Sequence, residues 1–89
     1  MKPYGFEISD GTVTFRRWFS TNGETFGLPD KNSNLHRIII AQSCLIFSHA
    51  VSYARIAAKE HGLLFTTLTE KDYKKLGNPI KNLFKKLFK

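Results

Sequence analysis

The sequence predicts an α+β domain: a three-stranded antiparallel β-meander packed on one long helix, then a short strand and two short C-terminal helices. Three observations predict it. Asp10-Gly11 and Asn22-Gly23 are two-residue turn signals set between alternating apolar residues. Asn34 to His61 carries apolar residues at helical spacing. Ile80, Leu83, Phe84, Leu87 and Phe88 stand at i, i+3, i+4, i+7 and i+8 near the end.

The meander over residues 1–28 follows from register. A hairpin centred on Asp10-Gly11 pairs Ile8 with Val13 and Phe6 with Phe15, leaving Glu7 opposite Thr14 on the other face. A second hairpin centred on Asn22-Gly23 pairs Phe19 with Phe26 and Arg17 with Leu28. Both turns select one apolar face: Phe6, Ile8, Val13, Phe15, Phe19, Phe26 and Leu28, with Tyr4 and Arg17 near one end. The outer face is then Glu7, Thr12, Thr14, Arg16 and Trp18, and Gly27 is expected across from Trp18.

Residues 29–34 form a polar connector rich in helix-capping types. The helix over 34–61 ends at Gly62, placed for a left-handed C-terminal cap. At 100° per residue Arg37, Ser48, Ser52, Arg55 and Lys59 fall in an arc of about 60°. Ile40, Phe47, Val51, Ala54 and Ala58 occupy one flank of it, and Leu35, Ile39, Ile46, Tyr53 and Ala57 the next. So narrow a polar stripe implies a helix covered on more than one side. Residues 63–68, Leu-Leu-Phe-Thr-Thr-Leu, read as a short strand. Thr69 is placed to cap a brief helix whose first turn holds Glu70 and Asp72, where the helix dipole favours acids, and Gly77-Asn78-Pro79 stops it. Residues 70–89 are the basic helical C-terminus.

Eighty-nine residues fit one domain, and 42% apolar residues with eight Phe are too many for a disordered chain. The formal net charge is +7. Residues 1–69 hold seven basic and five acidic side chains, whereas residues 70–89 hold seven Lys against two acids. Such a balance suits a nucleic acid or an acidic protein surface. A single cysteine, Cys44, precludes an internal disulfide, fits a reducing compartment and favours a cytoplasmic location. It reads as a small buried apolar residue. The opening residues carry two acids by Asp10 and no apolar core, unlike a signal peptide. Ile38 to Ala54 lacks formal charge but falls short of the ~20 apolar residues that span a bilayer.

Two surfaces are candidates for binding. On the C-terminal helix, Lys81, Lys85 and Lys89 line one side with Lys86 close by, a row suited to phosphates or an acidic groove. Its ten residues are short for an interfacial membrane anchor, and its apolar side is also suited to covering the long helix. On the outer sheet face, Arg16 and Trp18 stand two apart with Arg17 adjacent, a cation beside a stacking surface as single-stranded nucleic acid requires. The bland alternative is that Trp18 is covered by the C-terminal segment. The predicted layout is similar to that of plant ethylene-response-factor domains and of the arm-site-binding domains of tyrosine recombinases, which bind DNA. That similarity is one of architecture, with no motif shared residue by residue.

No metal, cofactor or enzymatic site is expected. His36 and His61 stand ~37 Å apart on a continuous helix, and neither they nor Cys44 has zinc-ligand spacing. There is no phosphate-binding glycine loop and no nucleophile–base arrangement. The expected function is a small, basic, non-enzymatic binding module. The first expectation is a nucleic-acid-binding accessory protein using Arg16, Arg17, Trp18, Lys81, Lys85, Lys86 and Lys89. The alternative is an inhibitor or adaptor, of the kind mobile elements often encode, docking on an acidic partner. A homodimer through the long helix fits either.

Overall fold

The computed structural model of the chain describes residues 2–75. The α+β class holds, with one antiparallel sheet of four strands in the order β3-β2-β1-β4: β1 (Gly5–Ser9), β2 (Thr14–Trp18), β3 (Glu24–Phe26) and β4 (Leu64–Leu68). Between β3 and β4 the chain forms two helices, α1 (Asn34–Ser43) and α2 (Phe47–Glu60). The predicted short strand is present as β4, which joins the sheet beside β1. Residues 70–75 are helical. The helix expected over Ile80–Lys89, and with it the lysine row, lies outside the described residues.

The first hairpin keeps the predicted faces but shifts register by two, pairing Ile8 with Phe15 and Phe6 with Arg17. The cause is Asp10. Its carboxylate accepts from the backbone N–H groups of both Thr12 (2.8 Å) and Val13 (2.7 Å), so the loop closes over four residues rather than two. An even shift leaves Phe6, Ile8, Val13 and Phe15 in the core.

The second hairpin departs further. Thr21 folds back on Trp18, its N–H donating to the Trp18 carbonyl and its Oγ1 accepting from the Trp18 N–H, which ends β2 before Asn22-Gly23. The pairing becomes Phe15 with Thr25 and Thr14 with Phe26, an odd shift of five from the expected register. Phe26 therefore moves to the outer face, and Phe19, Phe26 and Leu28 leave the core for the surface, Leu28 being 93% exposed.

The long helix is interrupted at residues 44–46. α1 starts at Ser33, whose Oγ accepts from the His36 N–H. It ends over Arg17, buried on the sheet's core face, which donates to the carbonyls of Gln42 (2.9 Å) and Leu45 (3.0 Å) and to Gln42 Oε1 (2.7 Å). A cation at a helix C-terminus supplies donors for carbonyls that have no intrahelical partner, and so stabilises the break. α2 ends as expected at Gly62, φ +66°, with the Leu63 N–H donating to the Ala58 carbonyl (2.8 Å) and the Gly62 N–H to the Lys59 carbonyl. The break places Cys44 on the surface, where the sequence reading had it buried.

The core lies between the sheet and the helices, built from Phe6, Ile8, Val13 and Phe15 against Leu35, Ile38, Ala50, Val51, Ala54, Ala57 and Ala58. Phe6 is its centre, fully buried, with the rings of Phe15, Phe47 and Phe65 about it at centroid distances of 6.1, 6.3 and 5.9 Å. Four strands and a broken helix differ from the three-strand, one-helix layout of the DNA-binding domains to which the sequence was likened.

Candidate functional site

The outer sheet face does not present the surface expected of it. Register sets Glu7, Arg16 and Glu24 in one row across β1, β2 and β3. The Arg16 guanidinium donates to Glu7 Oε1 at 2.7 Å and lies over the Phe26 ring, 5.4 Å from its centroid. Asp72 is close enough to feel its charge. Arg16 is thus a cation among three acids, which favours no phosphate.

Trp18 is covered. Its indole lies on Gly5, where an alanine Cβ would come within 2.6 Å of Trp18 Cε3, and Tyr73 packs edge-on against it at 5.3 Å. It is Gly5 rather than Gly27 that makes room for the ring. Only 9% of Trp18 is exposed, too little to stack a base. Tyr73 reaches it because Thr69 and Asp72 cap the following turn reciprocally. Asp72 Oδ2 accepts from the Thr69 N–H (2.8 Å) and hydroxyl (3.0 Å), and Thr69 Oγ1 accepts from the Asp72 N–H. These bonds hold the Asp72 carboxyl below its usual range. Tyr4, Phe19 and Tyr73 complete an aromatic corner beside the indole.

Arg17 is 7% exposed and faces the helices, its guanidinium taken by Gln42, Leu45 and the Thr21 carbonyl (3.3 Å). Burial lowers its pKa. Of the seven residues picked out from the sequence, the structure brings Arg16 and Trp18 to one face and turns Arg17 to the other. Lys81, Lys85, Lys86 and Lys89 lie outside the described residues. Among the described residues, no three His, Cys, Asp or Glu side chains gather as a metal site, and no helix is long and apolar enough to cross a membrane.

A different surface stands out on the helical layer. Ala50, Val51, Ala54, Ala57 and Ala58 bury one side of α2. Away from them, Ile46, Tyr53 and Ile56 are 65%, 36% and 61% exposed. Tyr53 and Ile56, three apart, lie on one stripe of the helix that His49 and Glu60 share, and Ile46, the extended N-cap residue, stands at the start of α2. Small alanines draw this helix close to the sheet, and the large side chains are left pointing out. The helical wheel already places Ile46 and Tyr53 on a second apolar flank. What it lacks is the phase of the break, which buries Leu35 and Ala57 and exposes Ile46 and Tyr53. Ile56 carries no signal of its own in the sequence.

Comparison with protein-family models, with curated proteins and with solved structures finds no match.

Proposed function

We propose that this chain is a non-enzymatic module that binds another protein, an adaptor or inhibitor, through the apolar stripe of α2. One observation carries the reading: Tyr53 and Ile56 are exposed together on one stripe of α2, with Ile46 exposed at its N-cap, while the side of the helix toward the sheet is buried. Single exposed apolar residues are ordinary. Two large ones at helical spacing, with a third at the helix N-cap, form a ridge of the kind that packs into a groove or against a second helix. Burying each isoleucine contributes ~1.5–3 kcal/mol, and tyrosine is a frequent interface anchor because its ring packs while its hydroxyl finds a partner. The net charge of +7 steers the encounter toward an acidic surface.

Nucleic-acid binding draws its support from that same charge and from Lys81, Lys85, Lys86 and Lys89. It draws none from the sheet, where Arg16 is neutralised, Arg17 buried and Trp18 covered. A nuclease-treated pull-down comparing the native chain with Ile56→Glu separates the two readings. The proposal expects a stoichiometric protein partner that survives nuclease and is lost with Ile56→Glu. Loss of every partner after nuclease, with affinity falling at a log–log salt slope of about −0.9 per phosphate, overturns it.

A further inference from the structure

A second surface lies on the other flank of α2. The Lys2–Pro3 arm ahead of β1 and the first turns of α2 enclose a groove of about 380 Å³, within the size range of small-ligand sites. Pro3, Phe47 and Val51 line it with hydrocarbon, Ser48 and Ser52 with hydroxyls, and Lys2 and Arg55 with charge.

Among the described residues those two cations have no counter-ion. Every Asp and Glu of the sequence falls among the described residues, and the ion pairs formed there are Arg16–Glu7 and Lys74–Glu70. Neither includes Lys2 or Arg55. The Arg55 guanidinium is also held in place, stacked over the Phe65 ring at 5.6 Å from its centroid. Beside it, α2 starts at Phe47 with no side-chain cap from Ile46 and no acid in its first turn, so the positive end of the helix dipole adds to the same field. An apolar floor with two cations suits a carboxylate carried on a hydrocarbon body. A polyanion would need more donors and less apolar lining.

We infer that this groove takes an apolar group bearing a carboxylate, as an acidic–apolar peptide segment of the partner protein presents. The apolar part rests on Pro3, Phe47 and Val51, and the carboxylate sits between Arg55 and Lys2. The inference extends the protein-binding reading to a second contact, yet its test needs no partner, so the two fail separately.

The probe is N-acetyl-phenylalanine, titrated into the ¹⁵N-labelled full chain beside its uncharged carboxamide and inorganic phosphate. The expected result is saturable shifts of the Ser48, Val51, Ser52 and Arg55 amides with the acid. Affinity should fall about tenfold for the carboxamide and for Arg55→Met, which keeps the side-chain stem but not the charge. Lys2→Gln, on the arm outside the core, should weaken binding in the same direction and covers the case in which Arg55→Met fails to fold. Equal response to acid and carboxamide, shifts centred elsewhere, undiminished binding by either variant, or phosphate binding as tightly as the acid each overturns the inference.

Discussion

Arg16 and Arg17 are neighbours in sequence with opposite roles, because successive strand residues face opposite sides of a sheet. Arg17 fastens β2 to the end of α1 by hydrogen bonds to Gln42 and Leu45. Lysine has no planar fork to span those acceptors, so Arg17→Lys should cost ~2 kcal/mol and Arg17→Ala more, by leaving Gln42 Oε1 and the Leu45 carbonyl without their donor. Arg16→Ala, which removes a partly exposed ion pair, should cost less than ~1 kcal/mol. Urea unfolding of the three variants checks the contrast, and equal losses from Arg16→Ala and Arg17→Lys would show that Arg17 is not the tie. A second prediction concerns acid. Backbone amides of Val13 and Thr12 lower the Asp10 pKa, and Thr69 lowers that of Asp72. A carboxylate with a depressed folded-state pKa contributes stability above its unfolded value of about 3.9 and loses it as pH falls through the folded value. The urea midpoint should therefore hold steady at pH 5–7 and fall below pH ~4. In Asp10→Asn/Asp72→Asn that acid limb should be flatter, and an unchanged limb would count against these two groups as its source.

At the scale of elements, the joints matter most. Gly5 gives the Trp18 indole its seat, with Trp18 Cε3 and the Arg17 carbonyl both inside the space of an added Cβ. Gly5→Ala should then cost ~1–3 kcal/mol by overpacking and raise Trp18 exposure, read as a red shift of its fluorescence. A variant as stable as the native chain with unshifted emission would contradict that packing. Ser33→Ala should cost ~1 kcal/mol through loss of the α1 cap, measured in the same urea series. These joints also mark what the sequence reveals. The faces of β1 and β2, the β4 strand, the Thr69 cap and the Gly62 stop are all legible, since each depends on local spacing or one residue's chemistry. The register of β3 and the break in the helix are not. Both depend on particular side chains capturing backbone groups, Thr21 that of Trp18 three residues away and Arg17 those of Gln42 and Leu45 far along the chain. Dipeptide turn signals carry no information about such competitors. The misplaced Phe19, Phe26 and Leu28 all trace to the Thr21 turn.

For the molecule as a whole, charge and shape point to different partners, and geometry decides between them. The net charge of +7 by itself suggests nucleic acid, but on the sheet the cations are paired or buried. The helical layer offers an apolar ridge with no cover among the described residues, and beside it a groove with two unpaired cations. Ile56→Glu should leave the melting temperature within a few degrees of native, because the side chain touches solvent rather than core. Phe6→Ala, by contrast, should cost ~3–5 kcal/mol, a large part of the 5–15 kcal/mol that holds a small domain together. The candidate site was only half legible in the sequence: the second apolar flank is visible on the wheel, and its exposure depends on the phase set by the break.

Photo-crosslinking from the stripe itself tests the central claim most directly. With p-benzoylphenylalanine at position 56 and, as control, at the exposed Lys31, irradiation in the native host should give one protein adduct of defined mass from position 56. That adduct should resist nuclease and be absent from position 31. Nuclease-sensitive adducts, or the same adducts from both positions, would contradict the account.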